Sequence, residues 1–447
     1  MNQGTTEVLR RCSCLIPHVR ERKVLLLQSG GTWRLPSAEV TGTGRRNPTS
    51  ALEQVLAQTV GPADVHLLRF MRLEKQERIW QCQNDDEGFR PPANGRWIAR
   101  EELDGLDLAD PTIRPLLETW FAEFGHAPPP GRAPWECQGW WQAPMQWIRQ
   151  QLPPGDCPTV DRSHGGKTCS AWGYAVGIST AGRDLFFKAT RDWNAHETRL
   201  TCVLANLFPA NLPRLIAVDH TQGWMLLEDF GGHLREHGEP PGVLAEACRQ
   251  LAQLQIDSTH HLSALACTDC PDLRDLEGER LAALFGDVRR AMEQGNPPPM
   301  SGADERIPAA LSAATALLAR ARDTGIPYSI VHGDFGWINI GLKRSSGHYV
   351  LFDWGGGCIW HPLVDLARLA ALVRQPSGSF VQSCLEPWTA LVPMSRLVTA
   401  VTLAGRLTLV HSVWEYMRVR ARAETWLADR ISGWLAKTIN DLAAGQS

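Results

Sequence analysis

The first third of the chain alternates short apolar runs with polar connections. Residues 23–28 (KVLLLQ) form a continuous apolar run that predicts a buried strand, and residues 95–98 (GRWI) predict a second short strand. Between them, residues 50–59 have apolar positions at helical spacing and predict an amphipathic helix. We therefore predict a mixed α/β domain over 1–125.

A proline-rich segment follows this domain. Residues 126–134 read HAPPPGRAP, and three consecutive prolines with a glycine exclude a helix and favour an extended spacer. We predict a linker over 126–134 and a second domain over 135–447.

The pattern changes within the second domain. Short β-like runs are predicted at 171–178, 184–189 and 224–227, with one helix at 195–206. From residue 241 onward, nearly all of the sequence has helical periodicity, including the predicted helices at 382–391 and 409–435. This order predicts an α+β fold with two lobes, a small β-rich lobe over 135–232 and a large helical lobe over 233–447.

One patch in the helical lobe combines apolar strands with conspicuous polar residues. Residues 329–340 read SIVHGDFGWINI, and residues 349–355 read YVLFDWG. Phosphoryl transfer from ATP requires a carboxylate that accepts the proton of the attacking hydroxyl, and oxygen ligands for Mg²⁺. Asp334, Asn339 and Asp353 have these chemistries. Because Asp353 ends an apolar strand expected to return antiparallel to the loop, we expect the three side chains to converge.

These motifs resemble the catalytic signature of the aminoglycoside phosphotransferase superfamily, which also contains choline, homoserine and fructosamine kinases. The resemblance implies a two-lobed protein-kinase-like fold, with Asp334 as catalytic base and Asn339 and Asp353 as Mg²⁺ ligands. It also implies that His332 braces the catalytic loop and that Asp365 supports it. The long activation segment of protein kinases is absent, since helical sequence follows soon after Asp365.

The same resemblance implies an ATP site earlier in the chain. Lys188, in the run LFFKA, would hold the α- and β-phosphates, and Glu197 would pair with its ammonium group. Residues 223–232 (GWMLLEDFGG) would form the hinge for adenine, with Glu228 and Phe230 as candidate contacts.

Two features depart from the pattern of relatives. Residues 167–174 lack the glycine-rich motif of protein kinases, so Ser170 is only a candidate phosphate contact. Gly336 stands two residues after Asp334, where many relatives have a basic residue. The second feature affects the expected rate more than the expected reaction.

The acceptor pocket of such a fold is built by C-terminal helices. These helices carry tryptophans beside carboxylates, and Trp414 and Glu415 are the candidate acceptor contacts. Aromatic rings beside carboxylates can surround an amine or stack on a sugar, although tryptophans at helical spacing more often pack in a core.

The first domain resembles a degenerate Nudix fold over about residues 8–123, carried by WRLP at 33–36 and by the helix that includes residues 51–59. The Nudix helix normally presents glutamates that chelate Mg²⁺. Here Ala57 and Gln58 stand at two of those positions, and Glu53 is one of the few remaining carboxylates. The resemblance therefore implies a domain that has largely lost its metal ligands.

The composition of the chain limits the classes of binding partner that we expect. The 447 residues carry a formal charge of −3, which gives no electrostatic footprint for nucleic acid or an anionic membrane. We predict no membrane-spanning run and a cytoplasmic location with reduced thiols. A zinc site at His260, His261, Cys267 and Cys270 is disfavoured, because the two histidines are adjacent.

Three functions are compatible with these residues. The first is a kinase that transfers the γ-phosphoryl group of ATP to a hydroxyl of a small metabolite or antibiotic. The second is a catalytically weak pseudokinase or nucleotide sensor, which retention of Asp334, Asn339 and Asp353 disfavours. The third, an active Nudix pyrophosphohydrolase, is disfavoured by its missing carboxylates. The acceptor, the choice between ATP and GTP, and the oligomeric state stay open.

Overall fold

The computed structural model describes residues 10–40, 48–61, 63–73, 77–161, 168–230, 241–294, 300–342, 348–373 and 377–445. The chain divides into two compact units, Met1–Gly182 and Arg183–Ser447. The sequence places the domain boundary at 126–134, upstream of this division.

The first unit contains two sheets at its beginning. Its strands are β1 Arg10–Leu15, β2 Lys23–Ser29, β3 Thr32–Arg34, β4 Ser37–Val40, β5 Val65–Leu73, β6 Glu77–Asn84 and β7 Gly95–Ala99. One sheet has the order β4-β1-β6-β5, in which β1 and β6 run parallel. The other has the order β3-β2-β7 and is antiparallel. The predicted strands at 23–28 and 95–98 correspond to β2 and β7.

Two helices cover these sheets. Helix α1 (Pro48–Thr59) packs on β1 and β4, and its buried residues Val55 and Leu56 join a core with Trp80. Helix α2 (Arg114–Glu123) buries Leu117 in a second core. The mixed α/β character of this part agrees with the pattern of its sequence.

The proline-rich segment lies inside the first unit. Arg132 at its end forms an ion pair with Glu123 of α2, with 3.0 Å between Nη2 and Oε1. The elements that follow it are α3 Gln142–Gln150, β8 Thr159–Asp161, β9 Thr168–Ser170 and β10 Gly173–Ser179. Strand β10 pairs antiparallel with both β8 and β9.

The second unit begins with three antiparallel strands and one helix. These are β11 Asp184–Thr190, α4 His196–Leu207, β12 Leu215–Asp219 and β13 Trp224–Glu228. Strand β13 lies between β11 and β12. The predicted elements at 184–189, 195–206 and 224–227 match this group.

Four short strands form the scaffold of the apolar patch. They are β14 Ser329–Val331, β15 Ile340–Leu342, β16 Tyr349–Leu351 and β17 Cys358–Trp360. Strand β14 pairs with β17 and β15 pairs with β16, both antiparallel. The sequence predicts β14 and β16 but not their partners β15 and β17.

Helices make up the rest of the second unit. They are α5 Pro241–Ser258, α6 Leu262–Ala266, α7 Gly278–Gln294, α8 Ala303–Asp323, α9 Leu363–Leu372, α10 Gly378–Leu385, α11 Met394–Arg420 and α12 Thr425–Ala444. The predicted helix at 382–391 is split, since α10 ends at Leu385 and a 3₁₀ turn, Glu386–Ala390, follows. The predicted helix at 409–435 is also two helices, α11 and α12.

Within the described ranges, α11 is a helix long and apolar enough to cross a bilayer, with 27 residues and a mean hydropathy of 1.3 over an 18-residue window. The sequence reading missed this feature. Helix α11 packs against α8, α9 and α12, and it buries Leu403, Leu407 and Val410 in the core of the second unit. Core helices of folded proteins commonly have this composition.

Candidate active site

The loop that follows β14 is fixed by close backbone contact with the loop that precedes β17. Gly333 has a φ of +81°, and a Cβ at this position would lie 2.0 Å from the carbonyl oxygen of Gly356. A left-handed φ and the absence of space both require glycine here. The two loops therefore have one defined arrangement relative to each other.

Asp365 holds the same loop from the first turn of α9. Its Oδ2 accepts hydrogen bonds from the backbone N–H of His332 (2.7 Å) and from Nε2 of Gln255 (2.9 Å), and its Oδ1 accepts one from the N–H of Gly333 (2.9 Å). The side chain is fully buried, and burial raises the pKa of its carboxyl to about 6 despite these donors. Asp365 thus anchors the loop through its backbone.

His332 connects this loop to the end of β16. Its Nε2 lies 3.0 Å from the carbonyl oxygen of Phe352, and its Nδ1 accepts a hydrogen bond from the N–H of Asp334 at 3.4 Å. Burial lowers the pKa of the imidazole to about 4, so the ring is neutral at pH 7 with its proton on Nε2. The ring also packs on Trp354, with centroids 4.5 Å apart.

Asp334 and Asn339 are joined directly. Nδ2 of Asn339 donates to Oδ2 of Asp334 at 2.9 Å and to its backbone carbonyl at 2.8 Å. Shielding from bulk water by the surrounding protein raises the pKa of Asp334 to about 6, and the nearby negative charges of Asp353 and Glu415 act in the same direction. A carboxylate with this pKa is well suited to accept a proton near neutral pH.

Asp353 follows β16 in a left-handed backbone conformation. Its φ is +67°, which is rare for a residue other than glycine and clusters at functional sites. Its carboxylate is 49% exposed, and Oδ1 lies 2.7 Å from Nζ of Lys188. Desolvation opposes ionisation, but the ammonium of Lys188 outweighs it and holds the pKa of Asp353 below its usual value.

Lys188 on β11 also pairs with Glu197 in the first turn of α4. Glu197 is 2% exposed and also accepts a hydrogen bond from the backbone of Trp354. Burial alone would lower the pKa of Lys188, yet Asp353 and Glu197 together raise it above its ordinary value. The ammonium group therefore stays charged and is aimed by two carboxylates.

The donor set suits Mg²⁺. Asp353 presents an exposed carboxylate, and Asn339 uses Nδ2 for its contacts with Asp334, which leaves its amide oxygen for ligation. Among the described residues, no group of three or more His, Cys, Asp and Glu side chains could hold a metal ion. Mg²⁺ is usually bound through one or two protein ligands together with substrate phosphates, so this sparse oxygen set fits it.

The predicted hinge residues lie beside this centre. Phe230 stacks on Phe352 with centroids 5.0 Å apart, and on Phe186 at 6.4 Å. The N–H of Glu228 donates to the carbonyl of Arg214 at 2.9 Å. Gly231 and Gly232 of the predicted hinge lie outside the described residues.

Ser170 is placed in the first unit, at the end of β9. Its side chain and the neighbouring Lys167 lie outside the described residues. Its predicted phosphate contact stays a prediction.

The predicted acceptor residues are placed on α11. Glu415 lies 3.8 Å from Nδ1 of His411 and 4.0 Å from Arg368, and it is 24% exposed. Trp414 is half-buried, with its ring 5.6 Å from the ring of His411. The guanidinium of Arg368 bonds to Nδ1 of His411 at 2.8 Å.

Sequence reasoning missed three members of this site: Gln255, Arg368 and His411. Arg368 could have been recognised, because it follows Asp365 by three residues and so shares its helix face. Nothing in the local sequence distinguishes Gln255 or His411 from other polar residues on helices.

Comparisons with known proteins agree with this arrangement. Residues 188–438 match the model of a family described as the phosphotransferase enzyme family. No curated protein sequence matches the chain.

Three solved structures are also similar to parts of this chain. An ethanolamine kinase from Plasmodium vivax is 11% identical, covering 67% of this chain and 86% of that one, with a TM-score of 0.49. The choline kinase LicA from Streptococcus pneumoniae is 13% identical, with coverages of 68% and 99% and a TM-score of 0.46. The macrolide 2'-phosphotransferase MphH from Brachybacterium faecium is 15% identical, with coverages of 67% and 97% and a TM-score of 0.44.

Proposed function

Because the chain belongs to the phosphotransferase enzyme family, we propose that it is an ATP-dependent small-molecule kinase that phosphorylates a hydroxyl group of its acceptor. One observation carries this proposal. The candidate base Asp334 bonds to Asn339, and the candidate metal ligand Asp353 bonds to Lys188, which in turn pairs with Glu197. A base, oxygen ligands and a phosphate-binding cation are what phosphoryl transfer requires.

In the proposed reaction, Asp334 orients the acceptor hydroxyl and accepts its proton as the new oxygen–phosphorus bond forms. The bond between the γ-phosphorus and the β–γ bridging oxygen breaks in the same step, and ADP leaves. Lys188 binds the phosphates of ATP, and Glu197 keeps its ammonium aimed. Asn339 and Asp353 would hold Mg²⁺, which when bound supplies positive charge to phosphate oxygens. His332 and Asp365 hold the catalytic loop in a fixed position relative to Asp353.

The proposed acceptor is a small metabolite or antibiotic, and Glu415 is its proposed contact. Its carboxylate is partly exposed, and its negative charge raises the pKa of Asp334, which supports a role near the base. A cationic amine on the acceptor would complement this carboxylate. Trp414 is the second proposed contact, although its packing against His411 also supports a structural role.

The first unit lies before the family match, and its Nudix-like character is part of the proposal. Its mixed sheet with α1 is compatible with that resemblance. The exposed positions of α1 include Glu53, Ala57 and Gln58, of which only Glu53 carries a carboxylate. We therefore expect this unit to lack hydrolase activity. A cytoplasmic location is proposed on composition alone.

The test is a transfer screen with γ-³²P-labelled ATP and, separately, GTP in the presence of Mg²⁺. The acceptors are amino alcohols, aminoglycosides, macrolides, sugars and nucleosides. Label transferred to one acceptor class would support the proposal and identify the substrate. Nucleotide binding without transfer to any acceptor would instead favour the pseudokinase alternative.

A further inference from the structure

The first turn of α4 contributes two residues to the site, His196 and Glu197. The ring of His196 hydrogen-bonds the backbone of Gly357, and Glu197 contacts both Lys188 and the backbone of Trp354. Burial lowers the pKa of His196 to about 3, so it makes this contact as a neutral ring. The position of this turn therefore affects both the phosphate-binding lysine and the loop that follows Asp353.

One residue of the helical lobe bonds directly to the start of this turn. Nη1 of Arg418, on α11, donates a hydrogen bond to the carbonyl oxygen of Trp193. Trp193 lies in the 3₁₀ turn Asp192–Asn194, immediately before α4. The bond thus links α11 to the backbone four residues before Glu197.

Arg418 is itself held in a defined orientation. Its guanidinium lies over the ring of Trp414, 4.9 Å from the centroid. Among the described residues, no carboxylate lies within ion-pair distance of Arg418, although desolvation lowers the pKa of its guanidinium and so disfavours its charge. The negative charge of Glu415 acts in the opposite direction and favours the charged guanidinium. The cost of burying this cation is therefore partly offset.

We propose that Arg418 is a positioning residue for the ATP-binding half of the site, acting through the Trp193 carbonyl on the first turn of α4. Loss of the bond frees this turn to shift, and Glu197 then aims Lys188 less accurately. Displacements of about 1 Å far from the reacting atoms are known to impair catalysis strongly. The expected effect of Arg418 on Mg·ATP binding rests on the proposed function. Its effect on the position of the first turn of α4 does not.

Arg420 provides a matched control on the same helix. Its Nε donates to Oγ of Ser432 at 2.9 Å, and its Nη2 donates to the carbonyl of Ala291 at 3.4 Å. Both partners belong to the helical lobe, since Ala291 lies on α7 and Ser432 on α12. Arg420→Met and Arg418→Met remove the same chemical group and are expected to lower the melting temperature to a similar extent.

The first experiment measures hydrogen exchange of the full-length protein. In Arg418→Met, amides over 193–199 are expected to exchange at least about tenfold faster than in Arg420→Met. This readout does not depend on nucleotide. Equal exchange over 193–199 in the two variants would overturn the inference. Arg418→Lys keeps the positive charge but lacks the planar guanidinium group. This variant is measured instead if Arg418→Met does not fold.

The second experiment measures Mg·ATP affinity by calorimetry in a double-mutant cycle with Glu197→Gln. Arg418→Met alone is expected to weaken binding about tenfold, and to add little further loss when Glu197 is already Gln. Additive losses would overturn the inference, since Arg418 would then not act through Glu197. If the wild-type protein binds no Mg·ATP, the proposed function fails, while the exchange experiment still tests the positioning.

Discussion

The ammonium group of Lys188 lies 2.7 Å from Oδ1 of Asp353, so the candidate phosphate-binding residue and the candidate metal ligand are in direct contact. The same ammonium group also pairs with Glu197, so Lys188 forms ion pairs with two carboxylates. Glu197 is almost fully buried, whereas Asp353 is half-exposed. Loss of Lys188 should consequently affect folding through Glu197 and ligand binding through Asp353.

Lys188→Met is expected to weaken Mg·ATP binding strongly and also to destabilise the fold. Glu197 would be left as a buried carboxylate without its cation, at a cost of about 3 kcal/mol in the free energy of unfolding. The double variant Lys188→Met/Glu197→Gln should recover most of that stability but not the binding. Urea unfolding and calorimetry measure the two effects. A single variant as stable as the wild type would argue against the buried pair.

The pH dependence of turnover should report Asp334. Its pKa is raised to about 6, so the base is protonated at lower pH, and kcat/KM should rise with pH through this value. Glu415 contributes to that increase through its negative charge. Glu415→Gln should therefore lower the pKa of Asp334 and move the acidic limb of the kcat/KM profile to lower pH. A limb that moves to higher pH in this variant would contradict the placement of Glu415 near Asp334.

Gly333→Ala should be far more damaging than an alanine at another glycine with positive φ. At Gly333 the new Cβ would meet the carbonyl of Gly356, whereas at Gly278 (φ +51°) nothing lies within 4 Å. Gly278→Ala should cost only about 1–2 kcal/mol for its left-handed conformation. Gly333→Ala should cost more than about 4 kcal/mol or prevent folding. Similar unfolding free energies for the two variants would exclude the close contact between the loops.

Much of the site was predictable because its residues fall within short, ordered motifs. Asp334 and Asn339 are five residues apart on one loop, and Asp353 ends an apolar run, so local sequence places all three near one another. Lys188 and Glu197 are nine residues apart, on a strand and the helix after it. The structure brings these residues together in the second unit.

The remainder depends on contacts between distant parts of the chain. Gln255 reaches Asp365 across 110 residues, and Arg418 reaches Trp193 across 225 residues. No local period or motif encodes such a contact. The break between α11 and α12 was also missed, because the apolar positions on either side of residues 421–424 keep helical spacing. Long-range packing, rather than propensity, decides these features.

The first unit is expected to show no pyrophosphohydrolase activity in the full-length chain. Mg²⁺ chemistry of the Nudix type needs several carboxylates on one helix face, and α1 exposes Ala57 and Gln58 beside Glu53. The assay uses Asp334→Asn protein with Mg²⁺ or Mn²⁺ and a panel of nucleotide sugars, dinucleoside polyphosphates and NADH. Metal-dependent hydrolysis at about 1 s⁻¹, an ordinary turnover rate, would show that the first unit holds a working hydrolase site.

The most direct test of the central claim is Asp334→Asn, measured by γ-³²P transfer to the acceptor identified in the screen and by calorimetry with Mg·ATP. The variant keeps the size of the side chain but cannot accept the acceptor proton. Its turnover should fall by about 10²–10⁴-fold, the usual contribution of a general base, while its Mg·ATP affinity stays close to that of the wild type. Turnover equal to that of the wild type would contradict the assignment of Asp334 as the catalytic base.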